Sequence, residues 1–219
     1  MSHDNSGAEA PWSEVGLRVF DPPADLAERL TAAAERESWT SRAGNGVLSV
    51  DLGSAGDDPA TVLGAAVTVL AGEVDAFDDA DLFVGLFSPD TRETSSFPFP
   101  ADLLSRCADL NLQFVLDAYP PATDEAPERA NSTKWLRLSA ESDTAAAVEE
   151  IEDHTSESTS ELIADRLREL AATDGPRETA VLEIASNGQF GAVLRVDTLR
   201  TLAARFATFT VRLVPPPTE

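Results

Sequence analysis

The chain has 219 residues, and 42% of them are hydrophobic, which is enough to build one large core or two small ones. Its formal net charge is −23, from 39 acidic and 16 basic residues, and this excess of acid disfavours nucleic-acid binding and attachment to anionic membranes. The single cysteine excludes an intramolecular disulfide, a cysteine-rich zinc site and an iron–sulfur cluster. A basic protein partner fits this charge, and so does a plain contribution to solubility in an acid-rich, lysine-poor proteome.

The N-terminal segment, residues 1–14, is predicted to be a disordered tail because it is polar and acidic. It has neither the basic region nor the apolar region of a signal peptide. No apolar stretch of the chain approaches the roughly 20 residues that are needed to cross a bilayer. We therefore expect a soluble, cytoplasmic protein.

The first half of the chain alternates strand and helix patterns as far as residue 123. Asp57-Asp58-Pro59 supplies a helix cap and a first-turn proline, and the apolar residues behind it recur every three or four positions up to Phe77. The two prolines within 96–100 favour an edge strand. Strands are predicted over residues 15–20, 47–52, 81–88, 96–100 and 114–119, and helices over 24–37, behind Pro59 and over 101–110.

The second half repeats this order after a linker rich in proline and charge, residues 124–132. Its segment 153–161 has no apolar residue and is predicted to be a solvated loop. Asn187-Gly188 is typical of a hairpin turn between two strands. Strands are predicted over 134–140, 179–185, 190–196 and 208–214, and helices over 144–152, 160–170 and 197–206.

An internal repeat relates the two halves, because residues 97–123 and 192–218 align without a gap. In both copies a short apolar run precedes an amphipathic helix, and a second apolar run ends in a proline cluster. From residue 47 the order is βαββαβ, which is typical of the ferredoxin-like plan. The predicted fold is α+β, with two tandem ferredoxin-like units, 15–123 and 133–219, and antiparallel sheets. The first unit is extended by an N-terminal strand and helix.

Part of the first half resembles a known family. The residues that carry the resemblance are Asp81-Leu82-Phe83, Phe87-Ser88, Leu103-Leu104, Asp117 and Tyr119. On these features, residues 15–120 resemble the bacterial domain-of-unknown-function family 4279, and the second half matches it only in outline. The resemblance implies a small α+β domain and carries no catalytic residue. By analogy with small acidic bacterial domains, it suggests an immunity or interaction protein.

The sequence offers no catalytic residue, metal site or cofactor motif. His154 stands among carboxylates in a polar segment, but the chain offers it no second imidazole or thiolate to complete a metal site. Cys107 falls on the apolar side of a predicted helix, which makes it a core residue rather than a nucleophile. Neither a nucleophile elbow nor a phosphate-binding loop is present. The pattern therefore leans away from an enzyme.

Aromatic residues at element edges are the candidate binding residues. Trp39 follows a helix end, Trp135 opens a strand, and Tyr119 closes the strand that resembles the family pattern. Phe97 and Phe99 alternate with prolines, so they share one face and either bury in the core or meet a partner edge to edge.

The leading hypothesis is a non-enzymatic interaction protein of the immunity type, which binds a basic protein partner. The alternative is a small-molecule-binding protein or enzyme, with a pocket between two ferredoxin-like halves as in dimeric α/β barrels. A third hypothesis is structural, with the duplication serving stability or homo-oligomerisation.

Overall fold

The computed structural model describes residues 11–56, 58–88, 94–119, 134–140, 149–151, 156–172, 179–186 and 189–215. These residues form five helices and eleven strands. In chain order the elements are β1 (Trp12–Phe20), α1 (Ala24–Glu37), β2 (Thr40–Gly44), β3 (Val47–Ala55), α2 (Pro59–Leu70), β4 (Ala80–Phe87), β5 (Ser95–Pro100), α3 (Ala101–Asp109), β6 (Gln113–Tyr119), β7 (Lys134–Ala140), β8 (Glu149–Ile151), α4 (Ser156–Ala172), β9 (Thr179–Ser186), β10 (Phe190–Leu194), α5 (Val196–Arg205) and β11 (Thr208–Leu213). None of the described helices has the length and apolar character needed to span a bilayer.

The strands form two mixed sheets, which confirms the α+β class. Sheet I has the order β10-β6-β4-β1-β3-β2, and sheet II has the order β5-β11-β9-β7-β8. β4 and β6 run parallel, as do β9 and β11, while the other neighbouring strands are antiparallel. The sheets are therefore not the antiparallel sheets that the sequence led us to expect.

The ferredoxin-like strand order is also not what the chain adopts. That plan places β3, β4, β5 and β6 in one sheet, whereas here β1 lies between β3 and β4, and β5 joins sheet II. The alternation of apolar residues along a strand predicts which face is buried, but it does not name the neighbouring strand. Local periodicity therefore predicted most of the elements while leaving their pairing undetermined.

The two halves exchange one strand each. β5, from the first half, pairs with β11 in sheet II, and β10, from the second half, pairs with β6 in sheet I. The gap-free repeat matches this exchange, because β5-α3-β6 and β10-α5-β11 are the corresponding elements. The prediction of a hairpin at Asn187-Gly188 is wrong, since β9 and β10 belong to different sheets, and the turn residues themselves lie outside the described part of the chain.

One hydrophobic cluster joins the two sheets and the helices. The ring of Phe99 on β5 contacts Phe114 on β6 at a centroid distance of 5.8 Å and Phe209 on β11 at 6.2 Å, and all three rings are fully buried. α3 packs against α5, and α2 packs against β1, β3 and β5. Because Phe99 stands on the exchanged strand, the core of each half depends on residues of the other.

Several element boundaries differ from prediction. β1 begins at Trp12, inside the predicted tail, because Trp12 pairs with Phe87 of β4 and Ser13 with Ala55 of β3. The one hydroxyl proton of buried Ser13 is shared between the carbonyls of Ala55 and Gly56, each at 3.2 Å. Residues Glu149–Ile151 form a strand where the sequence predicted a helix over 144–152. α4 begins at Ser156, within the predicted loop, since serine, threonine and acidic residues are well tolerated in a first helical turn. The linker 124–132 and His154 lie outside the described residues.

The edges of the exchanged strands are protected. Pro98 and Pro100 are exposed on β5, which is the edge of sheet II, as their presence predicted. On β10, the edge of sheet I, the backbone N–H of Val193 donates to the hydroxyl of Ser160 on α4 at 2.7 Å. Both devices oppose pairing of these edges with another chain.

Candidate functional site on the outer face of sheet I

A row of three stacked aromatic rings crosses the outer face of sheet I. Trp12 on β1 stacks on Phe87 of β4 at a centroid distance of 3.8 Å, and Phe87 stacks on Tyr119 of β6 at 4.5 Å, each pair within 2° of parallel. The strand register places these residues directly opposite one another. Trp12 is 38% exposed and is the large hydrophobic side chain that the described part of the chain leaves most open to solvent. We call these three residues the aromatic row.

A polar cluster adjoins the row at Tyr119. The phenol donates to one oxygen of Asp117 at 2.8 Å, and the side-chain amide of Gln189 donates to both oxygens of that carboxylate, at 2.6 and 2.7 Å. Gln189 comes directly before β10, so the exchange of strands is what carries it to this site. The pKa of Tyr119 is raised above its ordinary value by partial burial, then by the hydrogen bond and charge of Asp117 and by the charge of Glu14.

A cavity of about 410 Å³ opens beside the row, above the middle of β1. Gly16 forms its floor, and the strand register places Asp51 of β3 on one side of this glycine and Phe83 of β4 on the other. Glu14 and Arg18, the outward neighbours of Gly16 along β1, line the two ends. A β-bulge between Val15 and Gly16 disrupts the pairing of β1 with β3 at this point.

The absence of side chains at two glycines shapes this surface. A Cβ on Gly85 would lie 3.1 Å from the Phe87 ring and 3.3 Å from the Phe83 ring, so both rings lean over the glycine. A Cβ on Gly16 would meet only ordinary contacts, 3.5 Å from the carbonyl of Val50 and 4.0 Å from the Cβ of Phe83. Gly16 has no positive φ, so neither backbone conformation nor space requires a glycine there. Its lack of a side chain leaves the cavity open.

A partly buried ion pair closes one end of the cavity. The guanidinium of Arg18 donates from two nitrogens to the two oxygens of Asp81, at 2.7 and 2.8 Å. The Asp81 side chain is 5% exposed and that of Arg18 is 38% exposed. The guanidinium also lies 6.0 Å from the centre of the Phe83 ring. The charge of Arg18 is therefore compensated by Asp81, whereas Glu14 and Asp51 have no ion-pair partner within the described residues.

The corresponding face of sheet II is differently built. Arg137 of β7 and Arg212 of β11 flank Glu183 of β9, at 3.7 and 3.6 Å from its carboxylate oxygens. By the strand register, the equivalent positions in sheet I are Glu14, Gly85 and Asp117. Sheet II therefore carries a row of two arginines and one glutamate in contact, where sheet I carries two carboxylates on either side of a glycine.

The predicted binding residues are divided between the core and the surface. Tyr119 belongs to the aromatic row. Trp39 is half-buried against the core, and its backbone N–H donates to the carbonyl of Ala34. Phe97 and Phe99 are fully buried, so of the two outcomes left open for them the chain adopts burial in the core. Trp135 pairs with Ala185 in sheet II, at the position that corresponds to Trp12 in sheet I.

Sequence reasoning did not select most of the site. It did not single out Trp12, Glu14, Gly16, Asp51 or Gln189 for binding. It named Phe83 and Phe87 only as features of the family resemblance. A strand was predicted over residues 15–20, but the partner strands that bring Phe83 and Phe87 beside it were not predictable from its sequence. Cys107 is buried as predicted, and burial raises the pKa of its thiol to about 12, which leaves it unreactive.

Comparison of the chain with known protein families, with curated proteins and with solved structures finds no match.

Proposed function

We propose that this protein is a non-enzymatic interaction module that binds a basic segment of a partner protein on the outer face of sheet I. The observation that carries the proposal is the aromatic row, in which Trp12 is exposed and Phe87 and Tyr119 are half-buried, beside the carboxylates of Glu14 and Asp117. Stacked rings held by a sheet present a large rigid contact surface at little cost in conformational entropy. Carboxylates beside aromatic faces favour the cationic side chains of arginine and lysine.

The charge of the whole chain supports the same partner. With a net charge of −23, the protein attracts basic proteins over long distances and repels nucleic acids and anionic membranes. Association driven in this way is fast at low salt and weakens as salt screens the charges. An immunity-type role, in which the partner is a basic toxin, is the concrete form of the proposal.

Membership of residues 15–120 in domain-of-unknown-function family 4279 is part of the proposal and rests on the resemblance alone. Two residues that carry the resemblance, Asp117 and Tyr119, lie in the candidate site.

The alternative, a ligand pocket between two ferredoxin-like halves, gains no support from the described residues. Phe99, Phe114 and Phe209 pack together where β5, β6 and β11 approach one another, so side chains fill that space. The cavity that the described residues do form beside the aromatic row lies on the outer face of sheet I. Homo-oligomerisation remains a prediction.

Affinity capture with matched variants tests the proposal. The wild-type protein, Trp12→Ala, Glu14→Lys and the control Glu35→Lys would be exposed to an extract of the source organism at low and at high salt. Glu35 is exposed on α1, away from sheet I's outer face, and its substitution makes the same charge change as Glu14→Lys. We expect a basic protein to be retained by the wild type and the control, lost from both face variants and released by salt. Capture of the same proteins by all four baits, or of none at low salt, would refute the proposal.

A further inference from the structure

The cavity above Gly16 has the dimensions and walls of a pocket for one side chain of a partner. Its volume of about 410 Å³ falls within the range of about 300–1,000 Å³ that is typical of ligand pockets. One wall is the ring of Phe83, and the opposite wall is the carboxylate of Asp51. A second carboxylate, that of Glu14, lines the end nearest the aromatic row.

The charges around the cavity select a cation. Arg18 is the one cationic residue among those that line it, and its guanidinium is already bound to both oxygens of Asp81. Glu14 and Asp51 are exposed, and neither has an ion-pair partner in the described part of the chain. A ligand that enters the cavity therefore meets two uncompensated carboxylates and an aromatic ring.

We infer that this cavity binds the guanidinium group of an arginine side chain of the partner, an inference that rests on the proposed function. A guanidinium is planar and carries five donors, so it reaches two carboxylates at once and lies flat against an aromatic ring. The ammonium of lysine is a compact, strongly hydrated point charge and uses this arrangement less fully. The open floor at Gly16 gives the side chain room to enter.

Titration of the isotope-labelled full-length protein with small probes tests the inference directly. The probes are N-acetyl-arginine amide, N-acetyl-lysine amide and N-acetyl-citrulline amide, the last being the neutral isostere of the first. At low ionic strength we expect the arginine probe to shift the backbone amide signals of Gly16, Asp51 and Gly53 in a saturable way. Lysine should bind more weakly than arginine. Citrulline should bind at least about tenfold more weakly than arginine, because it is neutral and forms no ion pair with the carboxylates.

Two variants remove the pocket by different means. Gly16→Val fills the floor at a strand position that accepts a Cβ in ordinary contact, and Gly44→Val, at an open position on β2, is its control. Glu14→Gln combined with Asp51→Asn removes the charge and keeps the volume. We expect both pocket variants to weaken arginine binding at least about tenfold and the control to leave it unchanged. The dispersed amide spectrum of each variant verifies that it is folded.

The outcomes separate the pocket from the docking face. Equal shifts with arginine and citrulline, shifts away from the cavity, or binding that survives both pocket variants would overturn the inference. A captured partner that is lost from Trp12→Ala but binds Gly16→Val normally would overturn the inference and leave the proposed function standing. If the arginine probe binds in the cavity but no partner is captured, the guanidinium site would stand and the proposed function would be overturned.

Discussion

Replacing Phe99 with alanine removes a ring that belongs to the first half of the chain and is buried against residues of both halves. Phe99 is fully buried on β5, which is a first-half strand paired with β11 of the second half. Its ring contacts Phe209 on that neighbour and Phe114 on β6 of sheet I. The substitution therefore disturbs both sheets at once.

The expected cost follows from this burial. Truncation of a buried phenylalanine to alanine costs about 3–5 kcal/mol, because transfer free energy is lost and a cavity remains. The two aromatic contacts place Phe99 toward the upper end of that range, since such pairs contribute about 0.5–1.5 kcal/mol beyond the area they bury. For a chain of this size, the melting temperature should fall by about 6–20 °C.

The assay must report on the two halves separately. Urea and thermal unfolding would be followed by fluorescence in two single-tryptophan variants, one that retains Trp39 in the first half and one that retains Trp135 in the second. We expect one transition that both probes report at the same midpoint, shifted equally by Phe99→Ala. Pro98→Ala, an exposed change on the same strand, is the control and should alter the free energy of unfolding by less than about 1 kcal/mol.

Two results would refute this reasoning. One is a pair of separate transitions in which Phe99→Ala moves only the signal of Trp135, because the halves would then fold independently despite the exchanged strands. The other is a cost below about 1 kcal/mol, which would mean that the ring of Phe99 does not occupy the shared core.

Three further predictions concern single groups. Tyr119 is the one tyrosine of the chain, so an ultraviolet titration reports its pKa directly. The midpoint should lie above the ordinary value of about 10, and Asp117→Asn should lower it by removing the negative charge and weakening the hydrogen bond. Cys107, with a pKa of about 12 and full burial, should resist a thiol reagent at pH 8 in the folded protein and react rapidly in urea; fast labelling of the native state would contradict its burial. Arg18→Met should lower the free energy of unfolding, measured in urea, by about 3 kcal/mol, because it leaves the buried carboxylate of Asp81 unpaired. Asp81→Leu should lower it less, because the partly exposed Arg18 is then hydrated. A larger loss for Asp81→Leu than for Arg18→Met would be incompatible with the observed burial.

The elements were largely predictable because they depend on local signals. α2 begins where Asp57-Asp58-Pro59 predicted, and the carboxylate of Asp58 accepts from the backbone N–H of Thr61 at 3.3 Å. The pattern nevertheless extended this helix too far, since it ends at Leu70 and Phe77 is buried in the loop beyond it. Apolar spacing shows that a residue is buried, but not that the chain is still helical where it is buried.

The candidate site was predictable only in part for a related reason. Tyr119 and Asp117 were singled out by the resemblance, and they do stand at the site. Gln189 was not predicted as a site residue, because it reaches Asp117 only through the exchange of β10 into sheet I. Trp12 was assigned to a tail, because its neighbours in sequence are polar and its stacking partner is far away along the chain.

The sequence by itself determined the α+β class, most of the helices and strands, the duplication and the acidic charge. Each of these features depends on the spacing of nearby residues or on composition, so it can be predicted without knowledge of distant contacts. Only the tertiary structure decided which strands pair. The choice between β5 folding back on its own sheet and crossing to β11 depends on how Phe97, Phe99 and their distant partners fill a common core. That choice in turn positions β10 and the residue before it, Gln189, beside Asp117, so the polar cluster at the candidate site is complete only once both halves have folded together.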